Sequence, residues 1–344
     1  MSERSQVRVL IVDDSELMRS LLTSILSSDS HLKVVGTAKD AYEAKEQVKK
    51  LSPDVITLDI EMPEVNGLRF LQVLMKANPT PVVMVSTLTE QHAAATLTAL
   101  EYGAVDYIAK PKVYDGSTLN KYAKEMISKV RQAARANVRS RTKAATPPAK
   151  IPLKKNASNR ILAIGASTGG TEAIRDLLQQ LPAEQFGVVI SQHMPPGFTK
   201  TYAERLNRQT GFQVVESQGG EVVKPGTAYI APGGYHLTLR RKGNLIYTDL
   251  VIGEKVCGHR PSVDVMFDSV AELIGKTAMA VLLTGMGKDG AQGLKKIKDK
   301  GGYTVAQDEA SCVVFGMPRE AINLGATCSI QALSGMGNHL VSLL

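Results

Sequence analysis

The chain alternates between short apolar runs and longer segments in which apolar residues recur every three or four positions. Such runs are typical of strands covered on both faces, and the wider spacing is typical of amphipathic helices. In the first third of the chain the runs predict five strands, at Val7–Val12, Lys33–Gly36, Asp54–Leu58, Pro81–Val85 and Val105–Ile108. Five βα units predict an α/β fold of the flavodoxin-like, doubly wound class, with its ligand site at the carboxyl ends of the strands.

The same alternation resumes near residue 159 and continues to residue 344. It predicts strands at Arg160–Ile164, Gly187–Ser191 and Ala278–Thr284, and with them a second doubly wound, mostly parallel α/β domain. Residues from about 136 to 158 contain three prolines and no apolar period, which is the composition of a linker. We therefore predict a first domain at 1–130, a basic linker at 131–158 and a second domain at 159–344.

The composition limits the classes of protein that need to be considered. A chain of 344 residues with 43% hydrophobic residues can form two cores and is not disordered as a whole. No run approaches the ~20 apolar residues of a membrane span, and the first apolar run ends at Asp13, so we expect neither membrane insertion nor a signal peptide. The three widely spaced cysteines suggest no disulfide framework and no zinc site. A soluble, cytoplasmic protein is expected.

The net charge of +8 is concentrated in one stretch of the chain. Between Arg131 and Arg160 there are nine lysines and arginines and no acidic residue, so the rest of the chain is close to neutral. A basic patch can bind phosphates, but a solvated, self-repelling linker is the favoured interpretation. We expect no nucleic acid as a partner.

Charged side chains follow several of the predicted strands of the first domain. Asp13 and Asp14 follow the first strand, Asp59 the third, Ser86 the fourth and Lys110 the fifth. Three carboxylates beside one ammonium favour Mg²⁺ and phosphoryl transfer to Asp59, with Asp13 and Asp14 as the metal pair and Ser86 as a hydrogen-bond donor. A single aspartate at such a place, Asp14 for example, is more often a helix N-cap, but all the strand ends together favour a site.

These residues resemble the receiver domain of two-component response regulators. The resemblance covers residues 7 to about 130 and is carried by Val12-Asp13-Asp14-Ser15, Thr57-Leu58-Asp59-Ile60-Glu61-Met62-Pro63, Ser86-Thr87 and Ala109-Lys110-Pro111. It implies that a histidine kinase phosphorylates Asp59 and that Asp13, Asp14 and Asp59 hold Mg²⁺. Tyr107 then matches the switch aromatic of such domains, although packing alone would also explain it.

A glycine-rich turn, 165–170, follows the first strand of the second domain. Read as G-x-S-x-G, it is a nucleophile elbow that presents the Ser167 hydroxyl at a helix N-terminus. Read as a degenerate G-x-G-x-x-G, it is a dinucleotide-binding loop. The missing middle glycine, and the absence of an acidic residue at the end of the second strand, weaken the dinucleotide interpretation.

Two further residues complete a possible nucleophilic site with Ser167. His193 ends the strand next to the elbow, and Asp289 lies in a glycine-rich turn after the predicted strand Ala278–Thr284. We predict His193 as the base and Asp289 as its orienting acid. The alternatives are a structural histidine, an aspartate that only caps the next helix, and Asp264 or Asp308 as the acid. The chain order differs from the Ser…Asp…His order of α/β-hydrolases, which suggests another fold.

The second domain resembles the catalytic domain of the CheB family of chemotaxis protein-glutamate methylesterases. The matching stretches are 165–170, 191–198, 257–264 and 285–290. The resemblance implies hydrolysis of γ-methyl-glutamyl residues on chemoreceptors (methyl-accepting chemotaxis proteins) to glutamate and methanol, and deamidation of particular glutamines, which tunes chemotactic adaptation. It also implies the histidine kinase CheA as phosphodonor and no cofactor for the esterase step.

The expected mechanism is acyl transfer, in which Ser167 attacks, His193 moves the proton and Asp289 stabilises the imidazolium. Backbone N–H groups near Met286 are candidates for the oxyanion hole, and Thr168 either positions substrate or caps the helix. His259 and Arg260 either bind an acidic receptor surface or form structural ion pairs, and they stay outside the predicted catalytic set.

Regulation is expected to join the two domains. In this hypothesis the unphosphorylated receiver covers the catalytic cleft and phosphorylation of Asp59 frees it. Two other functions stay open, a phospho-switched dinucleotide-binding oxidoreductase and a DNA-binding response regulator. The second domain shows no three-helix pattern with a basic recognition helix, which argues against the regulator.

Overall fold

The chain folds into two α/β units that divide near residue 143. The computed structural model describes residues 6–87, 90–111, 115–138 and 160–344. In the first unit the strands are β1 (Val7–Val12), β2 (Leu32–Ala38), β3 (Val55–Asp59), β4 (Val82–Ser86) and β5 (Asp106–Ala109). They alternate with the helices α1 (Glu16–Ser27), α2 (Ala41–Leu51), α3 (Gly67–Ala77), α4 (Glu90–Glu101) and α5 (Gly116–Ala133).

The five strands of the first unit form one parallel sheet in the order β2-β1-β3-β4-β5. This is the flavodoxin-like order, so the predicted fold class of this unit is confirmed. The central strands β3 and β4 are buried at every position because helices cover both faces of the sheet. All five carboxyl ends therefore lie along one edge of the sheet.

The start of helix α1 shows which of the polar residues after β1 is its N-cap. The N-cap of α1 is Ser15, whose hydroxyl accepts a hydrogen bond from the Met18 N–H, so the alternative that Asp14 caps this helix is wrong. A serine hydroxyl can reach this N–H group without placing a charge at the cap. Asp14 is left exposed beside the other carboxylates.

Helix α5 continues to Ala133, three residues beyond the predicted end of the first domain at 130. Its buried face ends with Val130 and Ala133, which explains why the helix does not end with the predicted boundary. Most of the predicted linker, from residue 139 to 158, lies outside the described residues.

The second unit is built on a larger parallel sheet. Its strands are β6 (Arg160–Ala166), β7 (Phe186–Gln192), β8 (Gln213–Glu216), β9 (Thr227–Ile230), β10 (His236–Lys242), β11 (Leu245–Val251), β12 (Met279–Leu282), β13 (Tyr303–Gln307) and β14 (Ser329–Gln331). Its helices are α6 (Gly170–Gln180), α7 (Thr199–Gln209), α8 (Val263–Leu273), α9 (Ala291–Asp299), α10 (Met317–Asn323) and α11 (Leu333–Ser342).

Seven of these strands pair in parallel in the order β14-β13-β12-β6-β7-β9-β8. The predicted doubly wound, mostly parallel fold is confirmed. The chain builds the sheet outward from β6 in one direction and then from β12 in the other, so the topological switch point lies between these two strands. Ligands of open α/β sheets bind at this point, outside the carboxyl ends of the strands.

A separate antiparallel ribbon, β10–β11, packs beside helix α8. Its Leu237 and Leu239 are buried in the same apolar cluster as Val263 and Phe267 of α8. The ribbon thereby holds the amino-terminal end of α8 close to the carboxyl ends of β6 and β12. In the part of the chain that the structure describes, no helix is both long and apolar enough to cross a membrane.

Candidate active site

The turn between β6 and α6 presents the predicted nucleophile. The N–H of Ser167 donates to the Thr284 carbonyl at 3.1 Å, and the Ser167 carbonyl accepts from the Gly170 N–H at 2.7 Å. Gly169 has a φ of +76° and is the N-cap of α6, a conformation that favours glycine. The hydroxyl of Ser167 is therefore held at the switch point by backbone hydrogen bonds on both sides of its own residue.

Ser167, His193 and Asp289 form one chain of hydrogen bonds at the carboxyl edge of the sheet. Nδ1 of His193 lies 3.1 Å from the Ser167 Oγ, and Nε2 lies 2.7 Å from Oδ2 of Asp289. Strands β6 and β7 pair with Ala166 opposite Gln192, which brings the residues after them together as the sequence predicts. The side chains of His193 and Asp289 are only 5% and 1% exposed, so water is largely excluded from their contact.

The carboxylate of Asp289 is fully engaged by hydrogen bonds. Oδ1 accepts from the Ser262 hydroxyl and the Asp264 N–H, and Oδ2 accepts from the Val263 N–H in addition to His193. These N–H groups belong to the first turn of α8, where the helix dipole favours a negative charge. Asp289 thus caps α8, whereas α9, the helix that follows it in sequence, begins after Gly290 with no side-chain cap.

The same contacts determine the ionisation of Asp289. Burial alone would raise its pKa, but the hydrogen bond and charge of His193, together with the N–H groups of Asp264 and Val263, lower the pKa to about 2. The carboxylate is therefore charged at neutral pH. A permanent anion beside Nε2 favours the tautomer with the proton on that nitrogen, in which Nδ1 is a hydrogen-bond acceptor that faces the Ser167 hydroxyl.

The two rival acids lie elsewhere. Oδ1 of Asp264 accepts from the Gly293 N–H at 2.7 Å and so joins α8 to α9, and burial raises its pKa to about 6. Asp308 accepts from the N–H and hydroxyl of Ser311 in a turn after β13. Within the described part of the chain, His193 bonds to Asp289 and to neither rival.

Met286 and Thr168 lie beside the nucleophile. A Cβ on Gly285 would lie 2.8 Å from the Ser167 Cβ, so the backbone that leads into Met286 runs directly along Ser167. Thr168 is buried and its carbonyl accepts from the Thr284 hydroxyl, and the N-cap position of α6 is held by the next residue, Gly169. An oxyanion role for Met286 and a substrate-positioning role for Thr168 stay predictions.

Three residues outside the predicted catalytic set contact the site. The ring of His259 stacks on that of His193, with centroids 3.7 Å apart and planes at 9°. Ser262 donates to Asp289, and the side-chain amide of Gln192 donates to the Ser167 carbonyl at 2.9 Å. All three lie within stretches that carry the family resemblance, which was the available signal, but no spacing rule places a loop residue on a particular ring.

The first unit gathers its predicted charged residues at the carboxyl edge of its own sheet. Oxygens of Asp13, Asp14 and Asp59 all lie within 4.8 Å of one another. The Lys110 ammonium lies 2.7 Å from Oδ2 of Asp59 and 3.0 Å from Oδ2 of Asp13. Hard oxygen ligands at this mutual distance, with Asp14 exposed, fit a Mg²⁺ ion that keeps several waters.

The phosphoacceptor candidate Asp59 is buried, and so are Ser86 and Tyr107, two residues of the predicted phosphorylation switch. Burial raises the pKa of Asp59 to about 6, opposed by its hydrogen bond and ion pair with Lys110. Ser86 ends the adjacent strand β4, with its hydroxyl bonded to the Thr87 carbonyl. The ring of Tyr107 lies under the Lys129 ammonium at 5.2 Å, and burial raises the pKa of its phenol well above the usual value.

Comparison with known protein families assigns both units. Residues 162–340 match the CheB methylesterase family, and residues 9–121 match the response regulator receiver domain family.

Individual relatives agree with these assignments. The chain is 52% identical over 335 residues to a Pseudomonas aeruginosa protein named protein-glutamate methylesterase/protein-glutamine glutaminase 2, covering 97% of this chain and 96% of that protein. It is 48% identical over 338 residues to a Salmonella typhimurium protein named protein-glutamate methylesterase/protein-glutamine glutaminase, covering 98% and 97%. The crystal structure of the Thermotoga maritima CheB methylesterase catalytic domain aligns with a TM-score of 0.53 at 40% identity, covering 54% of this chain and all of that one.

Proposed function

The chain belongs to the CheB methylesterase family, and on this premise we propose that it hydrolyses γ-methyl esters of glutamyl residues in chemoreceptors. It is an enzyme of the carboxylic ester hydrolase class. The names of its relatives also include a protein-glutamine glutaminase activity. No observation favours the oxidoreductase or the DNA-binding regulator.

The observation that carries the proposal is the buried chain of contacts from Ser167 through His193 to Asp289. Nδ1 of His193 is placed to take the proton of the Ser167 hydroxyl as its oxygen attacks the ester carbonyl. Nε2–H stays bonded to Asp289, whose charge stabilises the imidazolium that forms. In many triads the other ring nitrogen faces the serine; here the Asp289 carboxylate bound at the start of α8 fixes the reverse arrangement.

Collapse of the tetrahedral intermediate needs a proton on the leaving methoxide, and the same Nδ1–H supplies it. Water then attacks the acyl-enzyme with Nδ1 as base and releases the glutamate. A primary amide follows the same route with ammonia as leaving group, which explains how one site can serve both activities. The N–H of Ser167 is bonded to Thr284, so the oxyanion donors are assigned to the neighbouring backbone, with Met286 as the first candidate.

Analysis of the products tests the proposed reaction. A peptide with one γ-methyl-glutamyl residue should lose the mass of one CH₂ group, and its glutamine counterpart should exchange NH₂ for OH. Each molecule of methanol should match one new carboxylate. An unchanged ester in the presence of the folded, phosphorylated chain would contradict the proposal.

We further propose that the receiver controls this hydrolase through phosphorylation of Asp59 by a histidine kinase, CheA in the family's usual pairing. Asp13, Asp14 and Asp59 would hold Mg²⁺, which supplies charge neutralisation for an incoming phosphoryl group. Lys110 pairs with Asp59 and is placed to bind a phosphoryl oxygen, and Ser86 and Tyr107 would respond to the modification. In the unphosphorylated chain the receiver would cover the catalytic cleft.

The affinity of the chain for Mg²⁺ is predicted to fall as the pH falls below about 6. The raised pKa of Asp59 means that protons compete with the cation from that pH downward, so affinity should drop about tenfold per pH unit. Calorimetric titration between pH 7.5 and 5 measures this. Asp59→Asn should remove the pH step together with most of the affinity. A flat affinity across this range would contradict the assignment of Asp59 to the site.

Removal of the receiver is predicted to activate the hydrolase. The fragment 159–344 should hydrolyse a methylated receptor faster than the unphosphorylated whole chain does, because it lacks the receiver that is proposed to cover the catalytic cleft. Acetyl phosphate with Mg²⁺ should raise the rate of the whole chain toward that of the fragment, and Asp59→Asn should abolish this rise. Equal rates for fragment and unphosphorylated chain would disprove autoinhibition.

A further inference from the structure

A short segment, His259 to Ser262, contacts the catalytic residues at both of its ends. His259 stacks on the His193 ring, and the Ser262 hydroxyl donates to Asp289 at 2.8 Å. Arg260 lies between them, and consecutive Cα atoms are less than ~4 Å apart. Its backbone is therefore one residue away from the ring that covers the catalytic imidazole.

Hydrogen bonds hold Arg260 to two neighbouring loops. Its Nη1 donates to the Gly253 carbonyl at 2.6 Å, and its own carbonyl accepts from the Gly234 N–H at 3.1 Å. The neighbouring Gly233 packs so closely on the segment after His193 that a Cβ would lie 2.3 Å from the Pro196 nitrogen. The guanidinium is thus fixed to loops that themselves pack around the active site.

The positive charge of Arg260 has no ion-pair partner among residues 6–87, 90–111, 115–138 and 160–344. Among the residues that the structure describes, no carboxylate lies within ion-pair distance of it. Its Nε is enclosed without an acceptor, whereas Nη2 has no acceptor and is not enclosed. This excludes the structural ion pair that the sequence left open for Arg260 within the described residues. A partly buried cation without a counter-ion is unfavourable and leaves an attraction for an anion.

The charges nearby reinforce this attraction. Lys255 on the same segment is exposed, and Lys288 on the turn that carries Asp289 is exposed as well. The charge of Lys288 opposes the rise that burial produces in the pKa of the Cys257 thiol, which shows that the Lys288 ammonium lies near the segment. Glu254 is the exposed acid of this stretch, and Asp264 and Asp289 are engaged by N–H groups. The exposed charges at this rim are predominantly positive.

We propose that Arg260 is a specificity-determining residue that binds a carboxylate of the polypeptide substrate, on a glutamate or aspartate that flanks the reacting glutamyl ester. This rests on the proposed esterase function. A guanidinium matches a carboxylate in shape and charge, and its free Nη2 can donate to it. The substrate class is therefore an acidic polypeptide segment rather than any protein methyl ester.

Two peptides test the proposal on the phosphorylated full-length chain. Both carry one γ-methyl-glutamyl residue, flanked in one by glutamates and in the other by glutamines of the same size. We expect kcat/KM for the acidic peptide to exceed that for the neutral one by about tenfold or more, mainly through KM, because a charged hydrogen bond is made on binding. The preference should shrink at high ionic strength.

Arg260→Gln should reduce this preference to nearly one, and Arg260→Lys should keep only part of it. Arg240→Gln, at an exposed arginine paired with Asp249 on the ribbon β10–β11, should keep it in full. If Arg260 had a merely structural role, the substitution would lower kcat/KM equally for both peptides and leave the ratio of the two values unchanged. An intact ratio in Arg260→Gln, or the absence of a preference in the wild type, would overturn the proposal. Failure to hydrolyse either peptide would instead refute the esterase function itself.

Discussion

Ser167→Ala is expected to lower kcat for glutamyl ester hydrolysis by about 10⁴-fold or more, the size of effect seen when a covalent nucleophile is removed. The hydroxyl is the group that forms the acyl-enzyme, and among the described residues it is the one hydroxyl that contacts Nδ1 of His193. Alanine fits the turn, because the backbone hydrogen bonds of Ser167 to Thr284 and Gly170 do not involve the side chain. The variant should therefore fold normally and lose only its catalytic activity.

Initial rates on a γ-methyl-glutamyl peptide, with thermal unfolding as the check on folding, measure this effect. Ser329→Ala is the matched control, since this serine starts β14 and bonds His339 rather than a site residue. Labelling by a serine-directed phosphonate should occur on Ser167 in the wild type and disappear in Ser167→Ala. A variant with more than about a tenth of the wild-type rate would remove Ser167 as the nucleophile.

Asp289→Asn is expected to lower kcat by about 10³- to 10⁴-fold, because an amide cannot fulfil both roles of the carboxylate. Oδ2 accepts from the Val263 N–H and from Nε2–H of His193, and Oδ1 accepts from Ser262. In either orientation the NH₂ of asparagine faces a donor. With the NH₂ toward His193, the ring carries its proton on Nδ1 and can no longer accept one from the serine.

The same substitution should change how stability depends on pH. The folded pKa of Asp289, about 2, is below its ordinary value of 3.8, so the carboxylate stabilises the fold above about pH 4 and this contribution is lost as the pH falls toward 2. Urea unfolding at several pH values should show a shallower acid limb for Asp289→Asn. Asp308→Asn, at the rival acid, should keep both the activity and the acid limb. The reverse pattern would make Asp308 the acid.

All five strands of the first unit were predicted, but of the nine strands of the second unit only β6, β7 and β12 were, because these are recognisable from the local sequence. Buried parallel strands are nearly continuous apolar runs, and each predicted run overlaps an observed strand, as Gly187–Ser191 does with β7. The ribbon β10–β11 was missed, because strands such as His236–Lys242 have one face on α8 and end in exposed basic residues. Its burial depends on packing against helix α8, which comes later in the chain. A local sequence pattern does not contain this information.

The site was predictable to the extent that strand ends determine it. Ser167, His193 and Asp289 each follow a strand, and parallel pairing brings the three together. The stacked ring of His259 was not predictable, because it lies on an irregular segment positioned by tertiary packing. The ring nitrogen that faces the serine was equally unpredictable, since the hydrogen bonds of Asp289 at the start of α8 determine it.

The most direct test of the proposed function is methanol release from a methylated chemoreceptor, by wild type and by Ser167→Ala, with and without acetyl phosphate and Mg²⁺. We predict release by the wild type that rises on phosphorylation, and no release by Ser167→Ala in either condition. Equal release by the two proteins, or none from the folded, Asp59-phosphorylated wild type, would contradict the assignment of Ser167, His193 and Asp289 as the catalytic residues of a glutamyl ester hydrolase.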